Sequence, residues 1–139
     1  MNTLDQLTSV RAFIDEHFDQ PLSLDELAQR AYLSRYHFIR LFRRCFYETP
    51  HQYLTRKRIE KAKYLLAYSN LSVTDICFSV GFASMGSFST LFHKTVGWSP
   101  SAYRARVWEQ QRNPYRFIPG CFCTMYKLSP EPITNMAEQ

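Results

Sequence analysis

Four cysteines and four histidines are the side chains of this 139-residue chain best suited to metal or nucleophilic chemistry. Cys121-x-Cys123, beside Pro119-Gly120, has the spacing to hold a metal or respond to oxidants. The histidines are His17, His37, His51 and His93, none in that stretch, and two thiols alone make an incomplete zinc site. A redox- or metal-gated tail is therefore an alternative mode of regulation, beside plain tail packing. Cys45 and Cys77 fall on the apolar faces of helical patterns and read as core. No acid pair has catalytic spacing, no nucleophile elbow is present and the histidines are scattered over separate segments, so no enzyme is expected. With no Gly-rich phosphate loop and no complete metal set, no cofactor is expected either.

The remaining chemistry is electrostatic. The net charge is +5, but residues 1–30 carry six acids against two bases, a balance of −4. Residues 35–63 carry Arg35, Arg40, Arg43, Arg44, Arg56, Lys57, Arg58, Lys61 and Lys63 against Glu48 and Glu60, a balance of +7. Such a block suits a polyanion, because each cation set on a phosphate releases condensed counterions. A solvated face of mixed charge would give the same count. The sites on which these cations stand therefore decide.

At this length one domain or two very small ones are expected. The composition, 45% hydrophobic with eleven Phe and nine Tyr, supports a folded core and excludes disorder. Four glycines argue against a turn-rich all-β fold. No apolar run reaches the roughly 18–20 residues of a membrane span, and MNTLDQLTSVRAF lacks the layout of a secretory signal. Few and irregularly spaced cysteines fit a reducing compartment, so a cytoplasmic chain is expected.

The chain also repeats itself. At an offset of 49, Leu22-Ser23 meets Leu71-Ser72, Leu27 meets Ile76, Ala31 meets Val80 and Leu33 meets Phe82. After one extra residue the offset becomes 50: Ser34 meets Ser84, Phe38 meets Phe88, Phe42 meets Phe92, Pro50 meets Pro100 and Tyr53 meets Tyr103. This is an internal duplication of one module. Each copy reads as helix, short turn, helix. Ser23 and Ser72 sit at N-cap positions, Glu26 completing a capping box and Asp75 suiting the helix dipole. Ser34 and Ser84 cap the second helices. Gly81 supplies the left-handed residue of the second turn; the first copy has Tyr32 there, which points to a turn built differently. The inward stripes are Phe38, Leu41, Phe42, Phe46 and Phe88, Leu91, Phe92, Val96. A small residue, a tight turn and an apolar second helix make a helix-turn-helix.

Residues 4–18 have the spacing of an amphipathic helix, 51–68 of a longer one with Leu54, Ile59, Ala62, Leu65 and Leu66 inward, and 99–111 of a last one. Beyond Asn113 the helical period fails. The expected organisation is all-α, about seven helices: a first subdomain over 1–50, a linker helix over 51–68, a second subdomain over 69–111 and an irregular extension over 112–139.

The twin modules on one long helix, with G-F-x-S-x-x-x-F-x-x-x-F-H-K-x-x-G-x-S-P-x-x-Y-R at Gly81–Arg104, resemble the AraC/XylS family of bacterial transcriptional regulators. The resemblance covers about residues 5–110 and looks like the DNA-binding domain alone, since the few residues before Leu4 and the 26 after Asn113 are too short for an effector domain. It implies a regulator of transcription, an activator, that places two recognition helices in successive major-groove segments of double-stranded DNA, as a monomer, and contacts RNA polymerase. A linker of 17 residues is about 25 Å long, compatible with one groove repeat of about 34 Å. The expected site is non-palindromic and roughly 20 base pairs.

The same resemblance assigns roles by position. Arg35, Tyr36, Ile39 and Arg40 fall on base-facing positions of the first recognition helix. Arg40 has the fork for guanine O6 and N7, and Tyr36 and Ile39 suit thymine methyls. Ser34, Arg43, Arg44, Arg56 and Lys63 are expected on phosphate. Arg58 has two readings, phosphate contact or an intramolecular pair with an acid such as Glu26. In the second recognition helix the base-facing positions hold Met85, Gly86, Ser89 and Thr90, with Ser84, Ser87, His93 and Lys94 on phosphate. No formal charge stands at those four base-facing positions, so the first helix is expected to discriminate bases and the second to position and read shape. A protein-interaction module would explain two helical units, but not the basic block aligned with their outward faces.

Overall fold

The computed structural model describes residues 2–112. Seven helices follow in order: α1 (Thr3–His17), α2 (Leu24–Arg30), α3 (Arg35–Phe46), α4 (Pro50–Tyr68), α5 (Val73–Ser79), α6 (Met85–Val96) and α7 (Pro100–Arg112). The described residues contain no strand, and no helix among them is long and apolar enough to cross a membrane. The expected extension, with Cys121 and Cys123, lies outside the described residues.

Helix starts are set by short polar side chains. Ser23, Ser34, Ser72 and Ser84 each accept a hydrogen bond from the backbone N–H three residues on, at 3.0–3.2 Å. The capping box expected at Ser23 and Glu26 is only half made, since no bond returns from Ser23 N–H to the Glu26 carboxylate. A complete box forms at Thr49 and Gln52 instead, with Pro50 at the first helical position. Within the amphipathic spacing of residues 4–18, Leu4 at the start of α1 is exposed, while Leu7, Val10 and Ile14 are buried.

The turn expected to differ between the copies is the same in both. Tyr32 adopts φ 59 and Gly81 φ 107, both left-handed. Leu33 N–H donates to Ala28 O at 3.0 Å and Phe82 N–H to Cys77 O at 3.2 Å, the six-residue closure of a Schellman turn. The other left-handed helix ends repeat the pattern, with Tyr47 at φ 64 after α3 and Gly97 at φ 91 after α6. The first copy thus uses tyrosine twice where the second uses glycine. Both tyrosines are almost fully solvent-exposed, so their rings meet no steric opposition from the core.

Two cores sit on one shared helix. Leu7, Val10 and Ile14 of α1, Leu27 and Ala28 of α2, and Phe38 and Phe42 of α3 pack with Tyr53 and Leu54 from the start of α4. Ile59, Ala62 and Leu66 from the rest of α4 pack with Ile76 and Cys77 of α5 and Phe88 and Phe92 of α6. The duplication extends to ring geometry. Phe38–Phe42 and Phe88–Phe92 centroids are each 5.7 Å apart; Phe42–Tyr53 and Phe92–Tyr103 are 5.9 and 5.6 Å. A buried phenyl ring of this kind contributes about 3–5 kcal/mol against its truncation to Ala, which is what fixes each second helix against α4 or α7.

Candidate nucleic-acid interface

With Phe38 and Phe42 fully buried, helical periodicity turns Tyr36, Arg40 and Arg43 to the opposite side of α3, whereas Arg35, on the same side as Phe38, reaches solvent because it opens the helix. All four are exposed, as is Arg44, while Ile39 is half-buried at the edge of that face. The Arg40 guanidinium lies 5.9 Å from the Tyr36 ring, one turn earlier. Arg35 is 3.8 Å from Asp25, a long and exposed pair worth little. Among the described residues no ion pair engages Arg40, Arg43 or Arg44. Three guanidinium groups thus leave the same helix uncompensated, with no acid in its first turn.

The cations of α4 are arranged otherwise. Arg56, expected on phosphate, is held within the chain: Nη2 meets Glu48 Oε1 and Nη1 meets Glu60 Oε1, each at 2.8 Å. These carboxylates, Glu48 first, push its pKa further up. Lys57 lies 3.6 Å from Asp15, which also accepts the Tyr53 hydroxyl at 2.5 Å. Arg58 turns to neither phosphate nor Glu26. Its Nε donates to Phe18 O at 2.6 Å and its Nη2 to Gln20 O at 2.9 Å, and burial lowers its pKa. Three consecutive bases are therefore used internally. Lys63 is half-buried with its ammonium 5.9 Å from the Tyr103 ring.

On α6 the exposed positions are Gly86, Ser87, Thr90, His93, Lys94 and Thr95, and Ser89 is half-buried. Gly86 has open space where a Cβ would stand. Met85 packs partly against the second core, so less of its side chain is available outward than the sequence pattern implied. Ser34 and Ser84 are occupied as acceptors in their caps, but a capping hydroxyl keeps its proton free to donate outward. Lys94 and Thr95 also line a cleft of about 360 Å³ with His51, Gln52 and Thr55, joining the end of α6 to the start of α4. Nothing in the sequence marked His51 or Thr55, since sequence spacing does not bring α4 to α6.

Cys77 is buried, its thiol 3.5 Å from Ser84 O and its pKa raised by that burial; Cys45 is half-buried. Among the described residues no group of three His, Cys, Asp or Glu side chains is placed to hold a metal.

A family model described as a helix-turn-helix domain matches residues 27–106. The HTH-type transcriptional activator RhaS of Escherichia fergusonii is 41% identical over 103 residues, which is 74% of this chain and 37% of that protein. The chain thus spans little more than a third of the length of the curated relatives it matches. Among solved structures, the DNA-binding domain of the global transcriptional factor AdpA, in complex with a target DNA, superposes with a TM-score of 0.72 at 35% identity, over 79% of this chain and 97% of that one. The C-terminal domain of AraT, a response regulator from Geobacillus stearothermophilus, gives 0.69 at 32% identity, over 72% of this chain and 84% of that one.

Proposed function

The chain belongs to the AraC-type helix-turn-helix family, and on that premise we propose that it is a sequence-specific regulator of transcription that reads double-stranded DNA with α3 and α6. The observation that carries this reading is the outer face of α3. Arg40, Arg43 and Arg44 leave it without an acidic partner, on the helix of the module that enters the major groove in helix-turn-helix proteins. The similarity to AdpA, solved with its target DNA, covers both helix-turn-helix units and supports a shared docking geometry.

In this reading α3 discriminates bases through Arg35, Tyr36, Ile39 and above all Arg40, whose fork matches guanine. Ser34, Arg43 and Arg44 hold phosphates beside it. The α6 face of Gly86, Ser89 and Thr90, with Met85 at its margin, approaches DNA closely and reads shape, while Ser84, Ser87, His93 and Lys94 hold phosphates. Lys63 adds a distal phosphate contact. Arg56 is left out, because transferring it to phosphate would strand Glu48 and Glu60. The subdomains over 1–50 and 69–111, joined by α4, act as the two halves of one reader, so a single chain occupies a non-palindromic site. The chain acts as an activator, the role that the name of its relative RhaS carries, by contacting RNA polymerase, and it works in the cytoplasm, where bacterial DNA is.

The test is selection of bound duplexes from a random pool, followed by affinity measured against salt. The reading expects one enriched, asymmetric motif and a steep linear fall of log affinity with log salt. No enrichment and a slope near zero would overturn it in favour of a protein-interaction module.

A further inference from the structure

One side chain bridges the two helix-turn-helix units. Arg58 leaves the middle of α4 and binds Phe18 O and Gln20 O, the carbonyls that follow α1 in the first unit. On its other side stands Gly81, the turn residue between α5 and α6 in the second unit. A Cβ built there would lie 2.8 Å from Arg58 Nε and 2.8 Å from Phe18 O, so backbone, guanidinium and backbone are in direct contact. The Phe82 ring, next in the chain, is 5.9 Å from the guanidinium. Around this point a cleft of about 810 Å³ separates Pro21, Leu22 and Glu26 of the first unit from Phe78 and Leu91 of the second.

The units are also joined through α4, a single helix that enters both cores. Long helices curve gently in response to their surroundings, so side-chain contacts on either side of α4 add to what fixes the angle between the units. Two linked readers gain affinity from each other only when the link holds them at the span of their sites.

We propose that Arg58 is a positioning residue, a cross-brace that fixes the angle between the two units and so the spacing of the duplex segments they read together. This rests on the DNA-reading function above. An arginine suits the task because its planar fork meets two carbonyls at once while its edge stays thin enough for Gly81 to close over it.

The probe is the duplex most enriched by the unaltered protein from a random pool, with base pairs added or removed between its halves and, separately, with either half scrambled. The unaltered protein is expected to prefer the selected spacing by about tenfold or more. Arg58→Met keeps the stem but loses both donors. It should bind the half-scrambled duplexes within about twofold of normal, lose about tenfold on the intact duplex, and respond weakly to spacing. Arg58→Lys, which has one ammonium for two carbonyls, should fall between and serves if Arg58→Met does not fold. An unchanged spacing preference in a folded Arg58 variant overturns the brace. A second readout needs no DNA: spin labels at Tyr36→Cys and Thr90→Cys, with Cys45, Cys121 and Cys123 replaced by Ser, should give a narrow distance distribution that broadens with Arg58→Met. Equal widths overturn the brace. Failure of the unaltered protein to bind any duplex overturns the DNA reading alone, leaving the label distances to judge Arg58.

Discussion

Arg58 and Trp108 are the same position in the two copies of the repeat, 50 residues apart, and each makes the same bond. Arg58 Nε donates to Phe18 O at 2.6 Å; Trp108 Nε1 donates to Ala67 O at 3.2 Å, and Phe18 and Ala67 are themselves 49 apart. A second bond in each copy lands on another matched pair: Arg58 Nη2 reaches Gln20 O, and Arg104 Nη2 reaches Ser69 O at 3.0 Å. The duplicated unit is therefore four helices rather than two. Helices α1–α4 form one copy and α4–α7 the other, with α4 closing the first and opening the second. In each, the last helix ties off free carbonyls at the end of the first.

The Trp108 tie should be structural only. Gln111 also donates to Ala67 O, at 3.1 Å, so Trp108→Phe leaves that carbonyl satisfied. We expect a loss of about 0.5–1 kcal/mol in urea unfolding and no change in affinity for duplex DNA.

Much of this architecture was legible in the sequence, because apolar spacing, capping serines and prolines are local signals that bury or cap wherever the chain goes. Phe38, Phe42, Phe88 and Phe92 all lie where their period put them. The failures are of two kinds. The Tyr32 turn is not legible from its residue type, because left-handed backbone is a property of the turn, which an exposed tyrosine adopts at modest cost when the flanking helices demand it. The partners of Arg58 depend on which loops return to α4, since Phe18 and Gln20 are not its helical neighbours; for Arg56 the i, i+4 partner Glu60 is legible in the sequence, but Glu48, which precedes α4, is not. The outer face of α3 was legible and that of α6 only in part, since burial of Met85 is set by packing against the second core.

The tyrosine and glycine turns give opposite expectations. Tyr32→Gly relieves a left-handed side chain, worth about 1 kcal/mol, but adds unfolded-state freedom of similar size. Stability should change by less than about 0.5 kcal/mol. Gly81→Ala adds both backbone strain and a clash with Phe18 O, and should cost at least about 2 kcal/mol. Thermal unfolding of the two variants checks the contrast, and equal effects would contradict the close packing at Gly81.

Arginines of α3 and α4 should separate by salt dependence. Arg43→Ala and Arg44→Ala should each weaken binding evenly across sequences and reduce the salt slope by about 1. Arg56→Ala should leave the slope unchanged, since Glu48 and Glu60 already neutralise that guanidinium. Arg40→Ala should cost about 1–3 kcal/mol and relax preference at one base pair. Affinity titrations over a range of salt on the selected duplex and its point variants measure all four.

Tyr53 sets an alkaline limit on the first subdomain. Burial, followed by the bond to Asp15, pushes its pKa up from 10.0 to about 12. The phenol is held neutral in the fold, so its contribution is fully present below pH 10 and lost as pH rises toward 12. Tyr53→Phe should cost about 1 kcal/mol at neutral pH. The unaltered protein should then lose about 2–3 kcal/mol more than Tyr53→Phe across that alkaline window. Parallel urea titrations of the two proteins give the difference; curves that stay parallel would contradict it.

The most direct measurement is a hydroxyl-radical footprint on the selected duplex, taken with the protein–DNA stoichiometry. One chain per duplex, protecting two segments about 34 Å apart on one face of an asymmetric site, is the predicted result, with the sharper loss from point changes in the half that faces α3. Two chains on a palindrome, or one uninterrupted protected segment, would contradict the claim that α3 and α6 of a single chain enter successive grooves.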